Sequence, residues 1–207
     1  MVSHKYNFIY TKITKTGSES VQNVLRSLDG SVENIDHYHI LDEINEDTKN
    51  YFKFTFTRNP WARLVSQYYY TVSKDDKIDG IDRTMYRNST FIDFIKSNKE
   101  FYLSSHWCSY SPTLEKIHTK KHPFVNQIDW ITNQHGEIQV DFVGKLENLQ
   151  EDFNIICDII GVDHQQLPHK NATKHKHYTE YYDDETREIV AEKYAKDIEY
   201  FEYEFGT

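Results

Sequence analysis

The stretch Phe8-Ile9-Tyr10-Thr11-Lys12-Ile13-Thr14-Lys15-Thr16-Gly17-Ser18-Glu19-Ser20-Val21 decides how this chain is read. It opens as a short apolar strand, tightens into a turn carrying Lys15 and Gly17, and ends at the start of a helix. Val21, Val24, Leu25 and Leu28 follow at helical spacing, and Asp29-Gly30 ends the run. Such a junction points several backbone N–H groups and a helix N-terminus at one place, which attracts a phosphate or sulfate. Lys15 adds a full positive charge that can follow the anion through a reaction. The turn is not a Walker loop, because Lys15 precedes the only glycine instead of following a second one. Taken alone, the stretch reads equally well as a plain strand-turn-helix junction with an exposed lysine.

Working outward, Phe52, Phe54 and Phe56 alternate with Lys53, Thr55 and Thr57 and predict a second strand. It stops at Arg58-Asn59-Pro60, where Asn59 suits an N-cap and Pro60 the first helical position. Trp61, Leu64, Val65, Tyr68 and Val72 mark the apolar face of the helix that follows. Arg58 therefore stands at the carboxyl end of a buried strand, where open α/β sheets bind ligands. Arg63 and Ser66 are expected on the same helix, away from its apolar face. An arginine fork plus a hydroxyl near a helix start makes a phosphate clamp. The alternative is that Arg58 pairs with a structural carboxylate. Two anion sites at neighbouring strand ends suit a ligand with two separate anionic groups.

Further along, Phe91, Ile92, Phe94 and Ile95 predict a short helix. Ile138, Val140 and Phe142 predict a third strand running to Gly144. Asn148 and Glu151 are a candidate capping box for a helix closed by Gly161. A last helix is expected from about Asp184 to Phe201. Residues 73–136 read as an irregular insertion shaping a substrate cleft, and 164–182 as a mobile polar loop. Strands alternating with helices imply one domain over 1–207 of α/β class, a P-loop-like three-layer α/β/α arrangement with a mostly parallel central sheet.

Composition sets outer limits. The net charge of −9 excludes general nucleic-acid binding, which needs a broad basic surface, but not one local anion site. Cys108 and Cys157 cannot build a disulfide framework, although one bridge between them stays open. No apolar run approaches the roughly 18 residues of a membrane span, and the N-terminus lacks a signal-peptide core. The expectation is a soluble, cytoplasmic chain.

With these segments in hand, the sequence resembles the sulfotransferases that use 3′-phosphoadenosine-5′-phosphosulfate (PAPS), in their carbohydrate branch (Golgi-type, heparan sulfate 2-O-like). Ile13 to Ser20 resembles that family's Pro-Lys-Thr-Gly-Ser-Thr-Ser loop around the 5′-phosphosulfate. Phe52 to Ser66 is similar to the segment gripping the 3′-phosphate, with Arg58 and Ser66 in the binding positions. Val140 to Leu149 and Tyr194 to Phe201 match further family segments. The likeness is weakest over 73–126, where acceptor specificity would reside. Thr14 stands where proline is usual, and Glu19 replaces a small hydroxyl residue, placing a carboxylate beside the phosphosulfate.

The resemblance implies roles. Thr14, Lys15, Thr16, Gly17, Ser18, Glu19 and Ser20 would hold the phosphosulfate, with Lys15 stabilising the leaving oxygen as 3′,5′-ADP departs. Arg58, Ser66 and Lys174 would hold the 3′-phosphate, and the loop 164–182 would close over the cofactor. His39, in His37-Tyr38-His39, fits the family's catalytic histidine better than His37, and His106 is the reserve base. A metal role for His37 and His39 lacks a third ligand at a recognisable spacing, and no metal is expected. His106-Trp107 and Gln127-Ile128-Asp129-Trp130 resemble segments near the acceptor, and Trp107 and Trp130 are candidates for stacking on a sugar or for the core. The basic cluster of Lys116, His118, Lys120, Lys121 and His122 either meets an acidic glycan or is a solvated face. The implied activity is sulfonate transfer from PAPS to a hydroxyl, of a carbohydrate. The rivals are a small-molecule kinase, and a nucleotide- or glycan-binding protein without turnover, which Thr14 and Glu19 favour.

Overall fold

The computed structural model describes residues 1–30, 32, 40–73, 89–96, 126–168 and 176–207. They fall into two compact units, one from residues 1–58 and 127–168, the other from 59–96, 126 and 176–207.

The first unit carries a four-stranded sheet in the order β1 (Val2–Ser3), β2 (Phe8–Thr11), β3 (Phe52–Thr57), β4 (Phe142–Lys145). β1 pairs antiparallel with β2, and the other pairings are parallel, with Thr11 opposite Thr55 and Phe54 opposite Phe142. β2 and β3 are short, aromatic and β-branched, and buried along most of their length, as parallel strands flanked by helices must be. Phe8, Tyr10, Phe54 and Phe56 share one face. They pack with Val21, Val24 and Leu25 of α1 (Ser18–Leu28) and with Phe153, Ile156 and Cys157 of a later helix, Leu149–Ile160. Tyr10 stacks on Phe54 with ring centroids 5.1 Å apart. Gly144 is required by this packing, since a Cβ there would lie 2.4 Å from the Phe56 ring. The α/β class with a mostly parallel sheet is borne out.

A short α2 (Ile40–Glu43) precedes β3. In the second unit, α3 (Pro60–Ser73) starts as expected: the Asn59 side chain accepts from the amides of Trp61 (3.1 Å) and Ala62 (3.4 Å). Trp61, Leu64, Val65 and Tyr68 pack with Phe91, Phe94 and Ile95 of α4 (Phe91–Lys96) and with Tyr178, Val190 and Tyr194. Thr90 and Asp93 cap α4 reciprocally. Among the described residues, no helix is long and apolar enough to cross a membrane.

Four expectations need correction. The third strand begins at Phe142, not Ile138, because Ile138 pairs with Thr132 in a local hairpin closed by the Asn133–Glu137 bond. Asn148 gives no side-chain cap to α5 (Leu149–Ile160), because a 3₁₀ turn over Leu146–Asn148 feeds straight into the helix. The last helix is two, α6 (Asp184–Lys193) and α7 (Ala195–Phe201), interrupted where Tyr194 leaves helical geometry (φ −110°, ψ 25°). The polar segment 164–182 is anchored in its described parts: Leu167 is buried, and the buried Tyr178 hydroxyl receives the Gly206 amide at 2.6 Å.

Candidate anion-binding site

The turn after β2 is built by backbone conformation. Lys15 and Gly17 both adopt left-handed φ, 65° and 77°. Gly17 tolerates this freely, whereas Lys15 is strained there, as residues at functional turns often are. Gly17 is fixed by space as well: a Cβ would sit 2.7 Å from Leu146 Cδ1 and 3.0 Å from Leu149 Cδ2. The amides of Thr16, Gly17, Ser18 and Glu19 find no backbone acceptor among the described residues, while Ser20 N–H already bonds the Gly17 carbonyl at 3.0 Å. Curled N–H groups at a helix start are the form of an anion cradle.

The hydroxyls are less available than the sequence suggested. Thr16 donates to the Ile13 carbonyl (3.0 Å) and Ser20 to the Pro168 carbonyl (2.7 Å), so both spend their protons inside the protein. Ser18 is buried at the head of α1, and Thr14 is also buried.

Glu19 has a resolution that the sequence did not offer. Its carboxylate accepts from Lys12 Nζ at 2.7 Å, and the Lys12 side chain is only 7% exposed against 56% for Glu19. A cation rising from the sheet thus neutralises the carboxylate in the first turn of α1. Burial pushes the Tyr10 phenol upward, and the Glu19 charge adds to it. Lys12 was missed, yet it shares the even-numbered parity of Phe8 and Tyr10, which directs it to the α1 side of the sheet.

Arg58 follows the last residue of β3. Its Nη1 donates to the Lys15 carbonyl across a long 3.4 Å bond, so the arginine and the lysine turn are brought together. Its own backbone is held by Gln127: Arg58 N–H donates to Gln127 Oε1 and Gln127 Nε2 donates to the Arg58 carbonyl, both at 2.8 Å. Sequence reasoning placed Gln127 near the acceptor and missed this contact. Trp130, three residues on, is 1% exposed and therefore a core residue, not a free stacking platform.

In the second unit, Ser66 is half-buried on α3. Arg63 is only 4% exposed, contrary to its expected place on the open face, because every residue from Pro60 to Val65 is buried at this helix start. His37, His39, His106, Trp107, Lys174 and the basic cluster of residues 116–122 lie outside the described residues.

The mostly parallel sheet thus carries a strained lysine turn at one strand end and an arginine at the next. Comparison with known proteins sharpens this: a family model described as "Sulfotransferase family" matches residues 1–204, and the chain belongs to that family. It is 24% identical over 209 residues to carbohydrate sulfotransferase 14 of Danio rerio, covering 83% of this chain and 51% of that protein. It is 25% identical over 155 residues to carbohydrate sulfotransferase 11 of Danio rerio, covering 63% and 38%. An uncharacterized protein of Archaeoglobus fulgidus is 30% identical over 112 residues, covering 54% of this chain and 69% of that one. The chain thus spans about half the length of carbohydrate sulfotransferase 14. No solved structure matches it.

Proposed function

We propose that the protein transfers a sulfonate group from PAPS to a hydroxyl of a carbohydrate, releasing 3′,5′-ADP. The observation that carries the reading is the bond from Arg58 to the Lys15 turn, which gathers two cationic residues at adjacent strand ends. Family membership supports sulfonate transfer, and the names of the two carbohydrate sulfotransferases support a carbohydrate acceptor. The residues fit the donor: the Thr16 to Glu19 N–H groups can donate to an anion, and the carboxylate that would repel it is paired with Lys12.

PAPS supplies an activated sulfonate whose phosphate is the leaving group. Lys15 carries the charge that offsets what develops on the bridging oxygen, while the loop amides hold the 5′ end in place. Arg58 takes the 3′-phosphate through its guanidinium fork. Ser66 and Lys174 are assigned to the same phosphate by resemblance alone. His39 accepts the proton of the attacking hydroxyl, with His106 in reserve. The test is transfer of labelled sulfonate from PAPS to a panel of glycans. Lys15→Ala is expected to abolish transfer, and His39→Ala to reduce it strongly. Full rate in His39→Ala moves the base to His106, and absence of transfer to every acceptor despite PAPS binding supports a binding protein instead.

A further inference from the structure

We infer that Gln127 is a positioning residue of this site, setting the aim of Arg58 and through it the preference for a 3′-phosphate; this rests on the function proposed above. The ladder between β3 and β4 ends at the pair Thr57–Lys145, so Arg58 is the first residue past the sheet. There Gln127 bonds both the N–H and the C=O of Arg58 through one side-chain amide. A primary amide is well suited to this, since one end accepts and the other donates.

Gln127 can hold Arg58 only if it is itself fixed. It is fully buried, and it opens the 3₁₀ turn Ile128–Trp130, with Trp130 N–H bonded to its carbonyl at 3.2 Å. Trp130, among the largest fully buried side chains, anchors that turn in the first unit. The chain of contacts therefore runs from the Trp130 core position to Gln127, to the Arg58 backbone, and by the Arg58 guanidinium to the Lys15 carbonyl. Gln127 lies 69 residues from Arg58 in sequence and meets it through the backbone. It works on the direction of a cation, which a buried neutral amide can do without competing for the anion.

The experiment titrates 3′,5′-ADP and 5′-AMP, which differ by the 3′-phosphate, into wild type and Gln127→Leu by calorimetry. Gln127→Leu keeps the volume and burial but leaves both Arg58 backbone groups without their partner. It is expected to weaken 3′,5′-ADP binding about tenfold, the size of losing one or two buried hydrogen bonds, with 5′-AMP affinity held within about twofold. Gln127→Asn keeps a neutral amide but draws it back by one methylene, and should fall between the two; it also serves if the leucine variant does not fold. Equal losses for both ligands would show a merely structural role and overturn the inference, as would no loss at all. A wild type that binds 5′-AMP as tightly as 3′,5′-ADP overturns the functional reading, and this inference with it.

Discussion

Removing the cation beneath the anion turn is the most informative single perturbation. In Lys12→Met the Glu19 carboxylate loses the partner it holds at 2.7 Å and stands as a net negative charge in the first turn of α1. At a separation of about 7 Å from a bound anion and an effective dielectric of about 40, each unit of like charge costs roughly 1 kcal/mol. A ligand end carrying about two charges is then destabilised by about 2 kcal/mol at low salt, or roughly thirtyfold. At physiological ionic strength the Debye length of about 8 Å roughly halves this, leaving about a fivefold to tenfold loss. Folding should suffer less, about 1 kcal/mol, because Glu19 is more than half exposed and regains water. The assay is calorimetric titration of 3′,5′-ADP at two salt concentrations, with thermal unfolding alongside. Lys12→Met/Glu19→Gln removes both charges and should recover most of the lost affinity, a non-additivity only a direct charge interaction produces. A double variant no better than Lys12→Met, or an effect indifferent to salt, would refute the reasoning.

Two further outcomes follow from the geometry. Gly17→Ala adds a Cβ in a left-handed conformation against Leu146 and Leu149, and is expected to cost about 2–4 kcal/mol in thermal unfolding and to weaken 3′,5′-ADP binding. In the second unit, the Thr186 hydroxyl and amide hold the Asp183 carboxyl below its ordinary range, with Lys96 adding to the effect, and Thr90 does the same for Asp93. A depressed folded value contributes stability above the ordinary carboxylate range and loses it as pH falls through the depressed value. Asp183→Ala should therefore unfold more easily than wild type at neutral pH, with the difference closing in acid unfolding curves.

Much of this was legible in the chain itself, for identifiable reasons. The alternation of Phe52, Phe54 and Phe56 and the spacing from Val21 to Leu28 reflect burial on one face, and burial is what sequence periodicity reports. Asn59 capped its helix as its chemistry demands. The same periodicity misled where two elements shared one pattern: Ile138 and Val140 alternate in phase with Phe142, although Ile138 belongs to a hairpin that ends before β4 starts. The apolar stripe through Val190, Tyr194 and Phe201 runs unbroken across the interruption at Tyr194, so a one-residue distortion left no trace. At the site, residue type revealed Lys15, Gly17 and Arg58. It did not reveal that Lys12 answers Glu19, or that Gln127 holds Arg58, because these are contacts across the fold between residues with no local motif.

Under the proposed function, the Lys15 turn and Arg58 together hold a nucleotide with anions at both its 5′ and 3′ ends. The direct test is to titrate 3′,5′-ADP and ATP–Mg²⁺ into the wild type and Arg58→Ala. Wild type is expected to prefer 3′,5′-ADP, and Arg58→Ala to lose most of that preference. Tighter binding of ATP–Mg²⁺, or an Arg58→Ala variant that binds 3′,5′-ADP as well as wild type does, would contradict it.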